Sequence, residues 1–102
     1  EVSMKTNIQS IHFDASEQLQ AFIEKKTAKL ERFFDEIDTV EVTLKVVKPE
    51  TAMNKQADVK VVVKNDNLFA SKICDTFEES IDQCIDALRI QLEKYKEKLR
   101  GK

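Results

Sequence analysis

The run from Asp75 to Arg100 constrains the fold more than any other stretch. Phe77, Ile81, Cys84, Leu88, Leu92, Tyr95 and Leu99 recur there every three or four residues, which places them on one face of an α-helix. A helix with one apolar stripe needs a partner surface, so the rest of the chain must supply a sheet face or another helix to cover it.

The same stretch is divided in charge. Asp75, Glu78, Glu79, Asp82 and Asp86 occupy its first half, with no Lys or Arg before Arg89. Arg89, Lys94, Lys96, Lys98, Arg100 and Lys102 follow, against Glu93 and Glu97. Acids near a helix N-terminus and bases near its C-terminus complement the macrodipole. The alternative is a basic rod end that grips polyphosphate. Charge alone favours the dipole.

The other elements follow in chain order. Lys5 to Ile11 mixes Ile8 and Ile11 with polar residues and predicts a short strand. Asp14 followed by Glu17, or Ser16 directly, is placed to cap a helix by accepting orphan backbone N–H groups. Leu19, Phe22, Ile23, Leu30, Phe33 and Phe34 then repeat at helical spacing, predicting a first helix over about 17–34. Lys25, Lys26, Lys29 and Arg32 flank that stripe, against Glu24 and Glu31; read as structure alone, they form a solvated face of local ion pairs.

Val40, Val42, Leu44 and Val46 alternate with Glu41, Thr43 and Lys45, the period of a half-buried strand. Pro49 and the polar run Glu50 to Gln56 interrupt it as a loop. Ala57, Val59, Val61 and Val63 alternate next, and Asn65-Asp66-Asn67 reads as the turn of a hairpin. Leu68 to Ile73 predicts a fourth strand. Asp75 or Thr76 opens the long helix, with Glu78 or Glu79 three residues on to close a capping box.

The order is β-α-β-β-β-α. A right-handed β-α-β crossover makes the first two strands parallel, and the next three form a meander. With one apolar face on each later strand and one stripe on each helix, the fold class is α+β: a two-layer sandwich with a four-stranded mixed sheet and both helices on one face. The expected core is Val40, Val42, Leu44, Val46, Val59, Val61, Leu68, Ala70, Leu30, Phe33, Ile81, Leu88 and Leu92.

At 102 residues the chain fits one domain, expected over residues 4–102. Glu1, Val2 and Ser3 precede Met4 and read as an extension or a remnant of cloning. Hydrophobic residues make up 41%, too many for a disordered chain despite the high charge. No apolar run reaches about 18 residues, and no signal peptide is expected. Cys74 and Cys84 are too few for a disulfide scaffold and lack metal-ligand spacing with the lone His12, so a reducing, cytoplasmic setting is the simpler expectation. The net charge of −2 excludes a protein that coats nucleic acid with positive potential all round; any such site must be a local patch.

Little points to catalysis. His12 has no acid or nucleophile partner in sequence, and reads as a surface or capping residue. The single glycine, Gly101, excludes a Gly-rich phosphate loop and a nucleophile elbow. Asp82 lies one turn from both Glu78 and Asp86, but two carboxylates on an exposed helix fall short of the roughly six oxygens a hard cation takes. No metal site, cofactor or small-molecule substrate is expected. What remains is surface: helices packed side by side would bring Lys25, Lys26, Lys29 and Arg32 near the basic end of the second helix, in a groove suited to an RNA backbone.

Ala28-Lys29-Leu30-Glu31 followed by Phe34, Val40 to Lys45, Ala70-Ser71, Ile81-Asp82, and Gln91-Leu92 with Lys94, Lys96, Lys98 and Leu99 carry a resemblance in their joint order. Over Met4 to Arg100 the chain resembles the short ribosome hibernation-promoting factors and ribosome-associated translation inhibitors of bacteria. The resemblance implies a fold similar to a double-stranded-RNA-binding domain. It also implies binding to the small ribosomal subunit and its rRNA, where messenger and transfer RNAs sit, so that translation is blocked and idle ribosomes are preserved without catalysis. The family's basic positions match at Lys26, Lys29, Lys94, Lys96 and Lys98. Lys25, Arg32 and Arg89 complete the expected RNA-binding set.

Ala87 and Ile90 stand where relatives often carry basic residues, and Thr76-Phe77-Glu78 replaces the family's Asp-Met-Tyr. The C-terminal domain with which longer members pair ribosomes is not expected here, so the resemblance implies that dimerising ribosomes would need a separate factor. A second reading, a protein-interaction module that regulates another protein such as a sigma factor, rests on the acidic run Asp75 to Asp86.

Overall fold

The computed structural model describes residues 5–11, 15–33, 37–47, 54–63 and 66–100. His12, Asp14, Phe34, Pro49 and Asn65 lie outside them, as do the expectations placed on those residues. The elements are β1 (Lys5–Ile11), α1 (Glu17–Phe33), β2 (Ile37–Val46), β3 (Lys55–Val63), β4 (Asp66–Cys74) and α2 (Phe77–Arg100). They form one mixed sheet in the order β1-β2-β3-β4, with β1 parallel to β2 and the other pairs antiparallel. The predicted element order, parallel first pair and antiparallel meander are all present.

Each helix begins where a hydroxyl answers its orphan N–H groups. The Leu19 amide donates to Ser16 Oγ at 3.1 Å, so Ser16 caps α1. The Glu79 amide donates to Thr76 Oγ1 at 3.1 Å, which makes Thr76 the N-cap of α2 and Asp75 a residue outside it.

Alternation puts Val40, Val42, Leu44, Ala57, Val59, Val61 and Val63 into the core, beneath Leu19, Ile23, Leu30, Ile81, Cys84, Ile85, Leu88 and Leu92. Cys84 is the small core residue its place on the stripe predicts. Two expected members, Val46 and Leu68, are only half-buried and pack against the core's margin. Val46 is the last residue of β2, and Leu68 lies on β4, at the edge of the sheet formed by the described residues.

Ile37 enters the core through an irregularity. Ile37 pairs with Val63 while Thr39 pairs with Val62, so Asp38 is an extra residue that reverses the strand's parity. Without it, strict alternation back from Val40 would point Asp38 inward; with it, Asp38 is exposed and Ile37 is buried. β2 therefore starts three residues before Val40.

The neighbouring strands also run further than predicted. Lys55 and Gln56 belong to β3 rather than the loop, where the Val47 amide donates to the Asn54 carbonyl at 2.8 Å. Asp66 and Asn67 pair with Val63 and Val62, so they open β4 instead of forming the turn.

Two buried side chains fix α2 on β3. Ser80 Oγ donates to the Lys55 carbonyl at 2.6 Å, and Cys84 Sγ donates to the Ala57 carbonyl at 3.3 Å. The four residues from Ser80 to Cys84 rise about 6.0 Å along the helix and the two from Lys55 to Ala57 span about 6.8 Å along the strand, so the two spacings match. Further along, Gln91 Nε2 donates to the Phe69 carbonyl at 2.9 Å, tying α2 to the sheet edge.

Candidate nucleic-acid interface

β1 and β4 run in the same direction, because β1 is parallel to β2 and two antiparallel steps separate β2 from β4. The helix that follows each strand folds back the same way, so α1 and α2 are parallel. Their contacts agree. Lys26 Nζ lies 2.8 Å from Asp82 Oδ1, and a cavity of about 190 Å³ continues from that pair between Lys29 and Leu30 on one side and Ile85, Asp86 and Arg89 on the other.

This register sets where the cations stand. Lys26 faces Asp82, an offset of 56 residues, so the end of α1 at Phe33 lies level with Arg89. α2 continues 11 residues to Arg100, or about 16 Å beyond its neighbour at 1.5 Å per residue. The α1 cations therefore flank the middle of α2 and do not meet Lys94, Lys96 and Lys98 in one groove, as side-by-side packing alone would suggest.

Three patches result. Lys26, Lys29 and Arg89 share the interhelical cavity with Asp82 and Asp86. Lys25, Lys29 and Arg32 line a shallow recess of about 180 Å³ with Ala28 on the outer flank of α1. Lys94 and Lys98 lie on the far side of α2, around a recess of about 250 Å³ whose floor is Leu68 and Tyr95 and whose rim includes Gln91 and Asp66. Lys96, half-buried, sits seven residues after Arg89, two turns along the line that faces α1.

Asp82 and Asp86 have a part that the sequence reading, which took them for a solvated face, did not give them. The Asp82 hydrogen bond, reinforced by its charge, raises the Lys26 pKa above its ordinary value against a smaller opposing effect of burial. The ammonium also stands 5.5 Å from the centre of the Phe22 ring, a distance at which the ring face attracts a cation. Lys26 is thus committed to partners within the protein, whereas Lys25, Lys29, Arg32, Arg89, Lys94 and Lys98 are exposed. No sequence periodicity links positions 26 and 82; only the shared direction of the helices does.

These recesses are smaller than a pocket of roughly 300–1,000 Å³ for a small molecule. Among the described residues no group of three or more His, Cys, Asp or Glu side chains is placed to hold a metal ion. No helix of the described residues is long and apolar enough to cross a membrane. Among the described residues the cations stand in three patches spread over the helical layer, an arrangement that suits contact with an extended polyanion rather than enclosure of a small ligand.

The family described as sigma 54 modulation protein / S30EA ribosomal protein matches residues 6–100. The ribosome hibernation promoting factor of Escherichia coli K12 is 36% identical over 97 residues, 95% of this chain and 98% of that protein. The protein of the same name from Pseudomonas putida KT2440 is 28% identical, over 93% of this chain and 89% of its own length. Among solved structures, a ribosomal subunit interface protein from Coxiella burnetii superposes with a TM-score of 0.82 at 25% identity, covering 91% of this chain and 98% of that one. The Protein Y N-terminal domain of Thermus thermophilus shares the fold, with a TM-score of 0.75 at 18% identity over 92% and 99% of the two chains. Sequence match over nearly the whole chain, element order and sheet topology agree, and the chain belongs to the ribosome hibernation promoting factor family.

Proposed function

We propose that this protein is a non-enzymatic regulator of translation that docks on the small ribosomal subunit through its helix pair, contacts rRNA phosphates, and inhibits by occupying the channel of messenger and transfer RNA. The observation that carries this reading is the family match across residues 6–100, reached in relatives of nearly the same length. The distribution of charge supports it: six exposed cations, Lys25, Lys29, Arg32, Arg89, Lys94 and Lys98, lie on the two helices, against Lys5 and Lys72 on the strands. Phosphate contacts of this kind give affinity and orientation with little base readout, which suits recognition of a folded RNA by shape. A cytoplasmic location follows from a ribosomal partner.

Substituting Lys26, Lys29, Lys94 and Lys98 together by Glu tests this reading. The expected result is loss of both ribosome co-sedimentation and translation inhibition, with the circular dichroism spectrum unchanged. Retention of ribosome binding by that variant overturns the electrostatic docking. Binding of a protein partner that survives the substitutions while no ribosome binding is seen in either form supports the protein-regulating reading instead.

A further inference from the structure

The interhelical cavity is not built as a plain anion site. Its lining holds three cations, Lys26, Lys29 and Arg89, and two carboxylates, Asp82 and Asp86, so an approaching phosphate meets a net charge of +1 rather than +3. Asp82 is 52% exposed and Lys26 22% exposed. An ion pair this open to solvent adds little to stability, so holding the fold together does not account for it. Its larger effect is on the surface potential, because Asp82, bonded to Lys26, lies on the helical layer that carries the RNA-directed cations.

We propose that Asp82 is a specificity-determining residue: by holding Lys26 at 2.8 Å it keeps that cation from generic RNA backbone, so the helix pair engages one phosphate fewer on duplexes met at random. The inference rests on the reading that the helix pair faces RNA. Its physical basis is that affinity for any duplex grows with each neutralised phosphate, regardless of sequence. An anion fixed beside one lysine lowers that sequence-independent term, while recognition of one RNA shape still draws on Lys29, Arg89 and the separate patches at Lys25, Arg32, Lys94 and Lys98. The protein is thereby kept from being held on the bulk of cellular RNA.

The test measures binding of a mixed-sequence RNA duplex by fluorescence anisotropy over a salt series, for the wild type, Asp82→Asn and Glu41→Gln. Glu41 is exposed on the opposite, open face of the sheet, so its substitution changes net charge equally without touching Lys26. One additional phosphate contact steepens the slope of log affinity against log salt by about 0.9, the figure for duplex DNA, which corresponds to about five- to tenfold tighter binding near 0.1 M salt. That gain is expected for Asp82→Asn, less than about twofold for Glu41→Gln, and adding Lys26→Met to Asp82→Asn removes it. Thermal unfolding verifies that each variant is folded.

Equal binding by Asp82→Asn and Glu41→Gln, or weaker binding by Asp82→Asn, overturns the proposal while leaving the functional reading intact if the wild type still co-sediments with ribosomes. Absence of duplex binding in every variant together with absence of ribosome co-sedimentation overturns both.

Discussion

Ser80→Ala removes one hydroxyl from the seam between α2 and the sheet, and its effect follows from the geometry of that seam. The side chain is fully buried and donates to the Lys55 carbonyl at 2.6 Å. Its removal leaves an acceptor with nothing else from α2 in place of the hydroxyl. Stranding a buried acceptor costs about 1–3 kcal/mol. Lys55 is half-buried at the start of β3, where water has partial access, so the lower part of that range, about 1–2 kcal/mol, applies. For a domain near this size each kcal/mol lowers Tm by about 4–8 °C, giving an expected drop of about 4–16 °C. Urea unfolding followed by circular dichroism should show the same loss with an unchanged slope, because the surface exposed on unfolding is the same. A loss below about 0.5 kcal/mol would refute the view that this bond fixes α2 on β3.

Leu88 is fully buried in the centre of α2, so Leu88→Ala should cost about 2–5 kcal/mol in urea unfolding. Thr76→Ala deletes the α2 cap and should cost about 1 kcal/mol by the same measurement. Burial, reinforced by the charge of Asp58, pushes the Cys84 thiol from 9.0 up to about 12. The thiol should therefore resist alkylation in the native protein at pH 8 and react once the protein is unfolded. The same shift has a sign for stability. The unfolded chain ionises this thiol from about pH 9 while the native state holds it neutral to about pH 12, so its contribution is fully present below pH 9 and is lost as pH rises through that window.

Most of the fold was legible in the residues because each element carries its own period. β1 falls on the predicted Lys5–Ile11, and α1 on the predicted start at Glu17. The parity of β2 and β3 placed Val40, Val42, Leu44, Ala57, Val59 and Val61 correctly on one face. What escaped were features that depend on a neighbouring strand. The irregularity at Asp38 exists only relative to β3, and Asp66 and Asn67, whose composition suits a turn, are held in β4 by pairing with Val63 and Val62.

The candidate interface was legible only as a set of cations. Their grouping depends on the register of two helices 56 residues apart, which local sequence does not encode. Hence the expectation of one groove gave way to three patches, and Asp82, first read as solvated surface, proved to be the partner of Lys26. Gln91 and Tyr95 likewise join the recess beside Lys94 and Lys98 only because α2 runs back along β4.

The central claim is electrostatic docking on small-subunit RNA. Sedimentation of the protein with isolated small and large ribosomal subunits over a salt series tests it most directly. Electrostatic docking predicts co-sedimentation with the small subunit at low salt, with log affinity falling linearly against log salt at a slope of several, one part per released counterion. A protein that stays at the top of the gradient at low salt, or that binds the small subunit with no salt dependence, would contradict it.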